Sequence, residues 1–282
     1  MEWDARLPLR GQSVRLHVSA ASDVGMVRSL NEDSFLSSPP VFVVADGMGG
    51  HAHGDLASAA VVRVFSERHA GQSVTSPEEV IASLQAANLA VRAISVDASD
   101  EASMAGTTTT GIALVDGVNG THSWMAFNVG DSRIYRWHSD TLEQISVDHS
   151  AVQELVDQGQ ITRSEADVHP ERNVVTRALG VDDEVEPDIW LLPVGGQQRF
   201  LLCSDGLTKE LSEAAITAVL SDGAVDGTSL ATRLVAAALE SGGNDNVTVI
   251  VVDADWEIVQ EGVTPRETPV MPAFLQDTVP RT

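Results

Sequence analysis

The sequence predicts an α+β fold with an antiparallel, β-rich core and helices outside it. Two observations carry this. Short apolar runs bounded by turn residues recur at 41–45, 110–115, 123–129, 134–137, 189–192, 200–203 and 247–252, each of strand length. Several adjoin with only turns between them, which suits antiparallel pairing better than a strictly alternating parallel sheet. Stretches with helical patterns and start signals separate the others.

Taken in order, 41–45 is wholly apolar and reads as a core strand. Residues 55–69 are Ala/Val-rich with polar residues on one side, a helical pattern. Ser76-Pro77-Glu78-Glu79 is a strong helix start: Ser as cap, Pro at the first position, Glu reaching back from the third. That helix is expected to run to about Val96. Thr162-Arg163-Ser164-Glu165 offers a second capping box. Leu230, Leu234, Val235, Ala238 and Leu239 share one helical face, and Gly242-Gly243 ends that helix. After Trp256 the periodicity stops, and Pro265, Pro269, Pro272 and Pro280 punctuate the rest. Residues 256–282 read as a tail.

The bulk numbers narrow the function. A chain of 282 residues suits one large domain or two small ones. Its 17 basic and 41 acidic residues give a net charge of −24, a field that repels nucleic acid and anionic membranes. It suits divalent cations and cationic stretches on a partner. The single Cys203 excludes an intrachain disulfide. No signal peptide or membrane-spanning run is read, so a soluble, cytoplasmic protein is expected.

Asp-Gly occurs at 46, 116, 205, 222 and 226. Most such pairs are turns, because Gly accepts positive φ and Asp bonds its own backbone. Asp46 and Asp205 differ, since each closes a buried-looking strand. Asp245, in Asn244-Asp245-Asn246, leads into another. A carboxylate at the end of a core strand is costly to desolvate unless it is paired or binds a cation. Three of them can converge on a hard cation.

The surrounding residues carry a resemblance. Ser22-Asp23-x-Gly25-x-x-Arg28-x-x-Asn31-Glu32-Asp33, Asp46-Gly47-Met48-Gly49-Gly50-His51 and Gly106-Thr107-Thr108 come first. Gly130-Asp131-Ser132-Arg133, Ser204-Asp205-Gly206-Leu207 and Gly243-Asn244-Asp245-Asn246-Val247-Thr248 follow. In this order they resemble the type 2C metal-dependent serine/threonine protein phosphatases, in their compact bacterial branch. The resemblance implies two antiparallel sheets packed as a sandwich, flanked by helices on both outer faces (four-layer αββα), with a flap subdomain. It implies a catalytic domain over 15–255 with the flap at about 145–190, after an N-terminal extension of 1–14.

It also implies roles. Asp46 bridges two divalent ions, Mn²⁺ or Mg²⁺, and the Gly47 carbonyl binds one of them. Asp205 and Asp245 complete one shell; Glu32 serves the second ion, and Asp33 orders its waters. A water activated between the ions attacks phosphoserine or phosphothreonine. Arg28 is the phosphate clamp, since a guanidinium bonds two phosphoryl oxygens at once. Asp131 either supports the site or braces a turn. The proton donor is open between His51 and His169. A third, weaker metal would use Asp205 with Asp100 or Glu101. Phosphoprotein substrates, a partner serine/threonine kinase and a monomeric state are expected.

Two other phosphatase chemistries fail on the residues. A cysteine phosphatase needs an Arg six positions after its Cys, where this chain has Lys209, and Cys203 lies inside an apolar strand. The haloacid-type pattern at Asp253-Ala254-Asp255 comes at the end of the domain and continues into Glu257. A non-catalytic sensor on the same fold is the alternative from another class, and such relatives usually lose metal ligands.

Overall fold

The computed structural model describes residues 1–48, 53–97, 105–117, 120–222 and 227–258. Strand β4 (Val41–Met48) explains the layering. Val41, Val43 and Ala45 enter one core, while Phe42 and Val44 enter another. A strand buried on both faces reads as a continuous apolar run. Around it stand β3 (Asp33–Ser38), β6 (Thr109–Asp116), β7 (His122–Val129) and β10 (Asp188–Pro193), in the order β10-β7-β6-β4-β3; β5 (Gly106–Thr107) pairs with the end of β4. The second sheet runs β1 (Glu2–Leu9), β2 (Gln12–Asp23), β12 (Val247–Ile258), β11 (Gln197–Cys203), β8 (Arg133–His138), β9 (Thr141–Gln144). All these ladders are antiparallel.

The sheets face each other across Leu16, Val18, Phe42, Ile112, Trp124, Phe200 and Ile250. Helices α1 (Gly54–His69) and α2 (Pro77–Asp97) cover one outer face, packing Val61, Phe65 and Leu84 on Val43, Met125 and Phe127. On the other face lie α5 (Asp205–Glu210), α6 (Glu213–Ser221) and α7 (Leu230–Ser241), with Leu234 and Ala238 on Leu201, Val249 and Val251. This is the expected four-layer αββα arrangement, and non-directional apolar burial supplies its main drive. Among the described residues no helix is long and apolar enough to cross a membrane.

Three boundaries differ from the sequence reading. Residues 1–14 are not an extension: β1 and the start of β2 lie there, and Leu7 and Val14 are core residues. The domain also runs past 255. Trp256 to Ile258 belong to β12, and Trp256 meets Trp124 edge-on at 6.3 Å; the rest of the tail lies outside the described residues. The flap segment ends before 190, because Trp190 sits inside β10 opposite Ala126.

The flap holds α3 (Ala151–Asp157), capped by Ser150, and α4 (Arg163–Ala166), which forms the expected Thr162–Glu165 capping box. Its base is fastened to the turn between β7 and β8. Arg133 grips Asp148 through two nitrogens at 3.0 and 2.7 Å, and the His149 amide donates to the Gly130 carbonyl at 2.9 Å.

Candidate active site

The antiparallel order brings the ends of β2, β4, β7 and β11, and the starts of β3, β8 and β12, to one rim. Asp33 opens β3 directly opposite Asp46 in β4. Asp131 lies in the turn from β7 to β8, Asp205 opens α5 just after β11, and Asp245 stands two residues before β12.

Short polar residues of the motifs hold these acids in place. The Asp46 amide donates to Thr108 Oγ1 at 3.0 Å, while its carbonyl accepts from Thr107 Oγ1 at 2.9 Å. Thr108 in turn bonds Ser132 at 2.7 Å, joining Gly106-Thr107-Thr108 to the Asp131 turn. Ser204 Oγ donates to Asp33 Oδ2 at 2.8 Å and accepts from the Thr248 amide at 2.9 Å. Asn246 ties the first motif to the last. Its Nδ2 donates to the Val24 and Leu30 carbonyls at 2.9 and 3.0 Å, and its Oδ1 accepts from the Glu32 amide at 2.9 Å. Gly25, at φ 81°, is pressed so close to the Asp245 carbonyl that any side chain would collide with it.

Burial and mutual repulsion give the acids an unusual charge state. Burial, then Asp205 and Asp245, push Asp33 up to about 7 against its bonds to Ser204 and Thr248. Burial, then Asp205 and Asp148, push Asp131 up to about 7. Burial holds Asp46 well above the carboxylate range, with Asp33, Asp205, Asp131 and Asp245 all adding to it. Asp205 is raised by burial although Lys209 opposes this, and Glu32 is raised by burial although Arg28 opposes it. Like charges crowded away from water favour the protonated form. Buried Asp33 Oδ1 and Asp205 Oδ1 have no hydrogen-bond partner among the described residues.

Two cations face this cluster. Arg28 reaches Asp245 through Nε at 3.0 Å and Nη2 at 3.1 Å, and Lys209 Nζ contacts Asp205 Oδ2 and lies 3.1 Å from Asp245 Oδ2. Among the described residues no three His, Cys, Asp or Glu side chains already stand as a metal cage. Arg28 holds Asp245, and Lys209 holds both Asp205 and Asp245. The donor set is all oxygen, as hard divalent ions prefer, and the unpartnered buried oxygens fit a cation.

The expected residues fare differently. Asp33, Asp46, Asp131, Asp205 and Asp245 come together. Glu32 joins them at the start of α1, where its carboxylate packs against Gly54. Gly47 is buried against Gly54, with no room for a side chain. Arg28 reaches the site by pairing with Asp245, not with Glu32 or Asp33. Asp131 is a buried member of the cluster rather than only a turn brace. His169 is not brought in: its Nδ1 accepts from the Glu171 amide at 3.2 Å within the flap. His51, Asp100 and Glu101 lie outside the described residues. Cys203 is buried with its thiol pushed up to about 12, as a structural cysteine should be. Lys209 is the residue missed. Its signal was its place four residues after Asp205 on a short helix, the spacing at which side chains meet.

Comparison with known proteins agrees with this geometry. The chain is 38% identical over 242 residues to the serine/threonine protein phosphatase PstP of Mycobacterium tuberculosis, covering 84% of this chain and 45% of that protein's length. It is 35% identical to the serine/threonine phosphatase stp of Listeria innocua, covering 88% of this chain and 98% of that one. The crystal structure of the PstP catalytic domain in complex with two manganese ions superposes with a TM-score of 0.74 at 35% identity, covering 86% of this chain and 99% of that one. Residues 27–243 match the protein phosphatase 2C family. The chain belongs to that family.

Proposed function

We propose that this chain is a divalent-metal-dependent serine/threonine protein phosphatase acting on phosphoproteins. The observation that carries the reading is the set of five aspartates converging on one rim, with two buried carboxylate oxygens unpartnered. A buried charge without partners costs several kcal/mol, on the order of the desolvation of one ion, unless a cation compensates it. The named activities of the PstP and stp relatives and the manganese of the PstP structure support the same assignment.

Two bound Mn²⁺ or Mg²⁺ ions would supply an activated water and neutralise charge on the transferred phosphoryl oxygens. Asp46, whose carboxyl feels Asp33, Asp205, Asp131 and Asp245 together, would help hold the ions. Asp205 and Asp245 would hold the first ion. Glu32 and the Gly47 carbonyl would serve on the α1 side, with Asp33 orienting from β3. Arg28, half exposed beside Asp245, is placed to turn its fork toward a phosphoryl group.

Hydrolysis of a phosphothreonine peptide and of para-nitrophenyl phosphate, with Mn²⁺ and with EDTA, tests this. Turnover should require the metal, and a protein that turns over neither substrate with Mn²⁺ present ends the phosphatase reading.

A further inference from the structure

Lys209 has no part in the roles above. It stands in the last turn of the short helix α5, one residue before its end, and its Nζ spans two acids, touching Asp205 and lying 3.1 Å from Asp245 Oδ2. These come from different chain segments, one opening α5 and the other preceding β12. The helix and that second segment are also fastened next to the lysine. Glu210 Oε1 accepts from the Asn244 amide at 2.9 Å and from Asn244 Nδ2 at 2.8 Å. The ammonium is therefore aimed by its helix and is not a drifting surface charge. Its side chain is 36% exposed, so it can leave the acids for water without disturbing the core. Arg28 forks over both oxygens of Asp245 and shares Oδ2 with the lysine, but its ion pair is with Asp245 alone, which leaves Lys209 as the described cation that pairs with both acids.

We propose that Lys209 is a positioning residue of the metal site, holding Asp205 and Asp245 together as their counter-cation and setting, by competition for them, how tightly a divalent ion binds. This rests on the reading of those two acids as metal ligands. An ammonium beside a carboxylate pair and a dication at the same pair repel each other. A unit charge close to a dication, even in a water-like dielectric, is worth roughly tenfold in affinity. The lysine thus keeps the two acids in place during folding and weakens the hold on the ion afterwards.

Calorimetric titration of Mn²⁺ into the wild-type protein, Lys209→Gln and Lys209→Met, with Lys209→Arg as the charge-keeping variant, tests the proposal. Both neutral variants should bind Mn²⁺ about tenfold more tightly, and Lys209→Arg should stay near wild type. Without metal, the neutral variants should melt at a lower temperature and gain more on Mn²⁺ addition. A lysine that merely braces the loop gives the opposite sign, so weaker or unchanged binding in both neutral variants overturns the proposal. A wild-type protein that binds no Mn²⁺ overturns it together with the metal reading, which separates that failure from the lysine's own.

Discussion

The two ends of the sheet that carries β12 hold charge in opposite ways. At the rim away from the aspartates lies a cavity of about 600 Å³, lined by Arg15, His17, Trp137, Arg199, Asp253 and Asp255 among others. There the acids have their own cations. Arg15 lies 2.7 Å from Asp255 and 3.0 Å from Glu257, and Arg199 grips Asp253 at 2.6 and 3.0 Å. At the aspartate rim, among the described residues, ion pairs reach Asp205 and Asp245, while Asp33, Asp46 and Asp131 have none. A cavity marks the first rim, and crowded buried carboxyls without cations of their own mark the second. The second is the better guide, because leaving carboxylates unpaired is destabilising and calls for an occupant.

The largest expected difference is in activity. Asp205→Ala should lower Mn²⁺-dependent turnover by about a thousandfold or more, since an interaction at the reacting centre is lost, whereas Asp253→Ala should change it less than about twofold, within surface effects. Comparable rates for both variants would erase the distinction between the rims. Next comes Arg28→Ala, expected to raise KM for a phosphopeptide by about tenfold or more, with Arg28→Lys recovering only part because an ammonium lacks the fork. An unchanged KM removes the clamp.

A smaller contrast lies in stability. Saturating Mn²⁺ at about a hundred times its Kd should stabilise the protein by about 2.7 kcal/mol, and Asp205→Ala should abolish the gain in a thermal melt. Without metal, pH should act in part through Asp33, which shares its raised value of about 7 with Asp131. Its folded value of about 7 lies above its ordinary one, so between about 4 and 7 the folded chain keeps a proton that the unfolded chain has lost. Stability from this group is present below that window and falls as pH rises through it. Asp33→Asn should flatten the slope in melts from pH 5 to 7.5, and an unaltered slope assigns it elsewhere. The smallest effect belongs to the far rim, where Arg15→Ala should leave the melting temperature near that of the wild type, because the pair is more than half exposed on the arginine side.

How much of this was legible depended on burial. Runs such as 41–45 and 247–252 are apolar on both faces, so their strands announce themselves. The strands missed lie mostly at sheet edges. β1 is the outermost strand, exposed at every other residue, with Trp3, Leu7 and Leu9 meeting the core and a proline near its end. β3 is serine-rich at the edge of the other sheet. Asp46, Asp205 and Asp245 were legible because each adjoins a core strand. The bond from Ser204 to Asp33 was not, since it joins residues 171 apart in sequence. Lys209 reads locally as an ordinary helix-surface charge, and only the pairing of its helix with the Asp245 segment gives it a second acid.

The position of β12 has a consequence for biosynthesis. Among the described residues it is the last strand in sequence, yet it lies in mid-sheet between β2 and β11. A growing chain that has delivered every other strand still lacks the partner that joins its first hairpin to its later half, and lacks Asp245 with it. Such late, non-local closure makes folding slow. It also means that nascent fragments cannot complete the acid cluster, so competence to bind an ion and a finished fold arrive together, as Ile258 leaves the ribosome.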